Sequence, residues 1–354
     1  MGPMKSYDVV EFRAPLKLIE RPTPKPEGTE VLVRTLAAGV CHSDLHIWEG
    51  EYDLGGGKKL QVKDRGMTQP FTMGHEIVGE VVALGPEAAG TRIGDRCLVH
   101  PWIGCGTCVV CAKGDEQLCL RPRFLGVHKP GGYSDHVLVP HPRYLIDFGT
   151  LTPEQAAPYA CSGVTTYGAL KKIDPAVRAS EPVVLIGAGG LGLMAITILK
   201  AMGGHGAISV DIDAKKRDAA LKTGALLTID GAAPDAAKQI QAAAKNGVYG
   251  VIDFVGSGAT ARLGIDCLAK GGRYVIVGLF GGDITLSTLF LPWRAIAIQG
   301  SYVGSLGELK ELMTLVKAGK VPPVPVTRHP LHEASATLEK LRKGEVIGRA
   351  VLTP

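Results

Sequence analysis

Aromatic residues are scarce in this chain, at 5% of 354 residues, and blocks of like charge are absent. Lys and Arg total 39 against 34 Asp and Glu, a net charge of +5 with the signs interspersed. That pattern argues against a nucleic-acid tail or a basic face for membranes. The one tempting apolar run, Val183–Leu199, is short for a bilayer crossing and holds four glycines. A buried strand, turn and helix fits it better. No secretory signal is read in Met1–Glu20, which mixes charged and apolar residues, and a cytoplasmic setting is expected.

What is present is an ordinary globular balance, 45% hydrophobic and 21% charged, in a length that suggests two or three domains. Short strand-like runs fill the first third: Val31–Arg34, Ile77–Val82 and Asp95–Val99, separated by Gly and Pro. They predict a β-rich, barrel-like unit. From about Pro158 apolar strands alternate with helices. Val183–Ile186, Ala207–Val210, Leu226–Ile229, Gly250–Asp253 and Arg273–Val277 are the strands; Lys215–Thr223 and Thr260–Leu268 are two of the helices. This alternation predicts an α/β unit with a parallel sheet covered on both faces. Helices are expected over Leu306–Ala318 and Glu333–Lys343, and the final run Arg349–Leu352 is a candidate to rejoin the first unit.

Eight cysteines would allow disulfides, but a long chain read as lacking a secretory signal argues against them. Cys105, Cys108, Cys111 and Cys119 follow C-x2-C-x2-C-x7-C. Four thiolates this close can surround one tetrahedral zinc and leave it no open position, which is a structural site. Iron–sulfur ligation or a chance cluster are the alternatives. Cys41, His75 and Cys161 are dispersed, each beside a strand end or a junction. Two thiolates and an imidazole would leave the fourth corner of a second zinc free for water or substrate. The histidines at 100, 128, 136, 141, 205, 329 and 332 read as structural or solvated, and Cys97 and Cys267 as buried thiols.

Gly187-Ala-Gly-Gly-Leu-Gly192 is a G-x-G-x-x-G turn between a strand and a helix, with Gly190 and Leu191 opening that helix. Gly187 allows the tight turn, Gly189 a close approach to a pyrophosphate, and Gly192 close packing of helix on strand. Asp211 stands 19 residues past Gly192, near the spacing of a carboxylate that accepts from the adenosine ribose and repels a 2′-phosphate. NAD is favoured. Lys215-Lys216-Arg217 just downstream is the counter-argument for NADP.

Gly39–His46, Gly74-His75-Glu76, the four-cysteine lobe and the late glycine turn together resemble the zinc-dependent medium-chain alcohol dehydrogenases. Asp64–Glu76 and Ala157–Tyr167 look most like the tetrameric microbial and archaeal branch. The resemblance implies a GroES-like catalytic domain over 1–160, with the structural zinc lobe at 100–122, completed by 301–354. It implies a Rossmann domain over 161–300. It assigns Cys41, His75 and Cys161 to catalytic zinc, and His42, Thr165, Lys216, Gly278, Leu279 and Arg349 to cofactor contacts. A proton path from Ser43 through the nicotinamide ribose to His46 and solvent follows, with Asp44 and Glu76 as supporting carboxylates and Asp44 orienting His75. Trp48, Trp102 and Leu279 are candidate pocket walls, Trp102 being equally open to plain packing. The expected activity is reversible oxidation of primary or secondary alcohols with NAD and two zincs per chain, in a homotetramer that binds neither nucleic acid nor membrane.

Rival readings fit less of the chain. Zinc-free quinone reductases lack the three dispersed ligands, polyol dehydrogenases often lack the cysteine lobe, and cinnamyl-type relatives prefer NADPH, against Asp211. A zinc-ribbon interaction module would leave the glycine turn and the Ser43–His46 pair unexplained.

Overall fold

The computed structural model describes residues 2–354. Six parallel strands form one sheet in the spatial order Leu227–Asp230, Ala207–Asp211, Val183–Ile186, Gly250–Asp253, Arg273–Ile276, Ala297–Gly300. Val183–Ile186 lies mid-sheet and is buried along its whole length, as an apolar strand covered by helices on both faces should be. The strand order reverses between Val183–Ile186 and Gly250–Asp253. A crevice outside the carboxyl ends of a doubly wound sheet opens at such a switch point, and this is where dinucleotides bind.

A second, mostly antiparallel sheet collects strands far apart in sequence. Its order is Leu145–Ile146, Arg96–Val99, Glu76–Leu84, Val31–Val40, Arg349–Thr353, Val326–Pro330, with His136–Val139 also pairing Val31–Val40. The terminal strand runs antiparallel to Val31–Val40, setting Ala350 opposite Val40 and Val351 opposite Gly39. The last residues therefore lie beside the strand end that leads into Cys41. The helix Ser162–Lys171, buried on nearly all sides, packs on the helix Gly190–Ala201 and follows directly from Cys161. Strand ends, helix starts and the chain terminus thus meet at one cleft.

Several strands go beyond the sequence reading. Met4–Val9 pairs with Lys17–Arg21 and Phe71–Thr72 in a small sheet, and Glu51–Gly55 pairs with Lys58–Gln61 in a hairpin. The hairpin tip packs against Gly281–Asp283, where a side chain on Gly281 would collide with the Asp53 backbone. Ala297–Gly300 is the sixth strand of the parallel sheet. Among the described residues no helix is long and apolar enough to cross a membrane.

Candidate active site

The helix His42–Glu49 begins where the strand Val31–Val40 ends, with Cys41 as its N-cap. The Cys41 backbone N–H donates to Asp44 Oδ2 at 2.9 Å, which fixes the first turn. Asp44 Oδ2 also accepts from the Tyr133 hydroxyl at 3.3 Å, while Oδ1 lies 3.3 Å from His75 Nδ1. One buried carboxylate thus holds Cys41 by its backbone and faces the His75 ring. Cys161 comes from the far side, its Sγ 3.8 Å from that of Cys41. The donor atoms of Cys41, His75 and Cys161 all lie within 4.8 Å of one another, and all three residues are buried.

These donors fit a metal. At a zinc–sulfur distance of about 2.3 Å, a tetrahedron has sulfur–sulfur edges of about 3.8 Å. The Cys41–Cys161 separation matches that edge, and neither cysteine is in a disulfide. The His75 Nδ1 side faces Asp44, while Nε2 is buried without a hydrogen-bond partner, which is costly for a polar atom unless something binds it. The neighbouring Cys161 thiol lowers the Cys41 pKa, with burial opposing. Burial works against charge on His75, but Asp44 and Cys41 outweigh it and hold the ring well above its ordinary pKa.

The four-cysteine lobe has the same sulfur spacing. Cys108 and Cys111 are 3.4 Å apart, Cys108 and Cys119 3.8 Å, and Cys105 and Cys111 3.9 Å. Glu116 anchors the lobe, accepting from Gly104 N–H and the Tyr144 hydroxyl, both at 2.8 Å, and pairing with Arg143.

A cavity of about 400 Å³ opens beside Cys41 and Cys161 and reaches the glycine turn. Gly187 has φ +95°, a left-handed value that excludes most side chains, and a Cβ on Gly192 would lie 2.0 Å from the Gly187 carbonyl oxygen. A Cβ on Gly189 would point into empty space, so its backbone is open to a ligand. Asp211 Oδ2 accepts from Ala188 N–H at 2.7 Å and Oδ1 from Asp213 N–H at 2.9 Å, which holds the carboxylate against the turn. Arg217 donates to the Asp211 carbonyl and pairs with Asp230, whereas Lys216 faces the cleft.

His42, Ser43, His46, Thr165, Gly190, Leu191, Gly278, Leu279, Trp102 and Arg349 line this cavity too. Trp102 is both wall and packing: its ring lies 5.2 Å from that of His75 and its indole donates to the Ala160 carbonyl at 2.9 Å. Burial and the nearby His42 push His46 down to about 4, so its ring is neutral near pH 7.

Trp48 is a correction. It does not line the cavity; its indole is buried and donates to the Ala14 carbonyl at 2.7 Å. Helical phase explains the error, because Trp48 lies two residues, about 200° of turn, beyond the cleft-facing His46. Glu76 takes a more specific role than support. It accepts from Arg349 through both oxygens at 2.6 Å and from Ser162 at 3.3 Å. Burial pushes its carboxyl up to about 7 against the pull of Arg349. Sequence reasoning did not find Arg65 or Tyr133, for neither sits in a recognisable spacing.

Comparison with known proteins agrees with this geometry. Residues 27–148 match the family model for the alcohol dehydrogenase GroES-like domain and 190–318 that for the zinc-binding dehydrogenases. The chain belongs to the zinc-binding alcohol dehydrogenase family. An NAD-dependent alcohol dehydrogenase of Sulfurisphaera tokodaii is 40% identical over 99% of this chain and 100% of its own. A second NAD-dependent alcohol dehydrogenase, from Saccharolobus solfataricus, is 39% identical over the same shares. The crystal structure of the alcohol dehydrogenase from Aeropyrum pernix superposes with a TM-score of 0.89 at 34% identity, covering 99% of this chain and 100% of that one. The GroES-like match takes in Cys41, His75 and the cysteine lobe, and the second match covers five of the six strands of the parallel sheet, beginning after Val183–Ile186.

Proposed function

We propose that this protein reversibly oxidises primary or secondary alcohols to aldehydes or ketones, passing the hydride to NAD. One observation carries the reading: the Cys41, His75 and Cys161 donors open into the same cavity that ends at Gly187–Gly192 and Asp211. Zinc bound by the three donors would supply Lewis acidity at the alcohol oxygen, and NAD in the cleft would supply the hydride acceptor.

The chain's own residues do the rest. Asp44 sets the angle of the His75 ring and the position of Cys41 together. Ser43, two residues past Cys41 on the cleft side of the helix, accepts the alcohol proton at its hydroxyl oxygen while its own hydroxyl proton passes on toward His46. His46, one helical turn on, accepts a proton at its buried, unpartnered Nε2 and releases it toward solvent. Burial keeps that ring neutral near pH 7 but also makes it a weak base, so it passes the proton on without holding it. Thr165, Gly278 and Leu279 wall the reacting centre, while His42, Gly190, Leu191, Lys216 and Arg349 line the stretch assigned to the nucleotide.

The proposal includes two zincs per chain, the second in the cysteine lobe, and NAD over NADP because the Asp211 carboxylate, which lines the cavity beside the glycine turn, would repel a 2′-phosphate. The GroES-like part is taken as 1–160 with 301–354 and the nucleotide part as 161–300. It also includes a homotetramer in the cytoplasm. Association is supported by exposed Leu289 and Trp293 beside the edge strand Ala297–Gly300. The test is a panel of primary, secondary and aromatic alcohols followed by NADH absorbance, with metal analysis and solution mass on the same sample. No NADH formation with any alcohol by the zinc-loaded protein would refute the reading.

A further inference from the structure

We propose that the substrate end of the cleft takes an alcohol carrying a carboxylate remote from its carbinol carbon, and that Arg65 holds that carboxylate. The inference rests on the alcohol dehydrogenase reading and narrows its substrate class.

Arg65 closes the short 3-10 turn Val62–Arg65, just after the hairpin, and its half-buried side chain lines the cavity. Its guanidinium lies 5.6 Å from the centre of the Tyr52 ring, and Nη2 is 3.4 Å from the Tyr302 hydroxyl. Among the described residues no aspartate or glutamate pairs with it, whereas Arg349 in the same cavity is matched by Glu76. What faces Arg65 is a pair of phenols. Burial pushes Tyr52 up to about 12, so that phenol brings no negative charge at neutral pH. A part-buried cation without a counter-ion is costly, and an anionic ligand would relieve that cost.

The walls of the cavity lead from the metal donors to this cation on both sides. On one wall the His75 and Trp102 rings are 5.2 Å apart, the Trp102 and Tyr302 rings 6.4 Å apart, and Tyr302 meets Arg65. On the other, the His46 and Tyr52 rings are 4.7 Å apart and Arg65 sits over Tyr52. An alcohol oxygen at Cys41, His75 and Cys161 therefore directs the rest of the molecule past aromatic faces toward one positive charge. The middle of the substrate should be apolar, and its far end anionic. One guanidinium balances the single charge of a carboxylate and matches its planar, two-oxygen geometry, whereas a phosphate dianion would leave charge uncompensated.

The experiment compares 6-hydroxyhexanoate with 6-hydroxyhexanamide, which match in length and differ in charge. It adds 6-hydroxyhexyl phosphate as the other anion and 1-hexanol as a check that alcohols are oxidised at all. In the unmodified holoenzyme, kcat/KM for the carboxylate should exceed that for the amide by about tenfold or more, through KM, and the gap should shrink in high salt. Arg65→Leu should bring the carboxylate-to-amide ratio toward unity, and Arg65→Lys should keep part of it. Equal values for acid and amide in the unmodified protein would overturn the proposal, as would a preference that survives Arg65→Leu. Preference for the phosphate would overturn the carboxylate assignment. If 1-hexanol and every other alcohol went unoxidised, the dehydrogenase reading itself would fall and take this proposal with it.

Discussion

Arg349 donates to both carboxylate oxygens of Glu76 at 2.6 Å, tying the last strand of the chain to the residue that follows His75. Both side chains are buried, so the pair has little water to replace either partner. Removing one partner from such a pair strands a buried charge, at a cost of about 3–5 kcal/mol. Glu76→Ala should therefore lower stability by that order in urea unfolding of the zinc-loaded protein. A double replacement by apolar residues of similar volume should cost much less. A Glu76→Ala protein as stable as its parent would mean that water reaches Arg349 and the site is wetter than its burial indicates.

The cysteine lobe gives a separable prediction. Its sulfur separations of 3.4–3.9 Å are those of a tetrahedral zinc shell, and no disulfide competes for them. If the lobe holds the second of the two zincs proposed above, Cys105→Ser should remove about one zinc per chain and lower the thermal midpoint. NADH binding should persist, because the glycine turn belongs to the other sheet. Loss of both metals together would show the two sites to be coupled rather than independent.

Asp211 bonds Ala188 N–H as well as facing the nucleotide end of the cleft, so Asp211→Gly does two things. It loosens the turn, raising KM for either cofactor, and it removes the charge opposed to a 2′-phosphate. The ratio of NADP to NAD use should rise roughly tenfold, about 1.4 kcal/mol. Paired steady-state assays measure it, and an unchanged ratio would leave Lys216 as the discriminating residue.

Local spacing made much of this molecule legible. The glycine turn, the cysteine lobe and the strand Gly250–Asp253 are written in short, contiguous patterns, since a tight turn or a four-sulfur cage constrains neighbours in sequence. The convergence of Cys41, His75 and Cys161 is different, because no local rule joins positions spread over 120 residues. Resemblance to a family supplied it, and the geometry then places the three together. The Glu76–Arg349 pair spans 273 residues and could not be read. Trp48 was misplaced because the His42–Glu49 helix carries apolar residues on more than one face, so periodicity alone did not show which face meets the cleft. Arg65 gave no signal, since its meaning lies in the carboxylate it lacks.

His100 offers a test of the β-rich core under acid. Its ring is fully buried, both nitrogens are without partners, and it stacks on Tyr144 at 6.3 Å between centroids. Burial pushes its pKa down to about 3, with Lys310 and Arg143 adding to the effect, whereas in the unfolded chain it titrates near 6.5. The unfolded state therefore takes up a proton as pH falls below about 6.5, and the folded state refuses it until about 3. Stability from this group is complete above pH 6.5 and declines on acidification, with a slope approaching about 1.4 kcal/mol per pH unit. His46 and His128, each lowered to about 4, change in the same direction. His100→Phe keeps the stacking and removes the titration. Urea unfolding between pH 6.5 and 4 should show a slope for this variant flatter by about one proton than for its parent. Parallel slopes would mean that His100 is already protonated in the fold, or that it never titrates on unfolding.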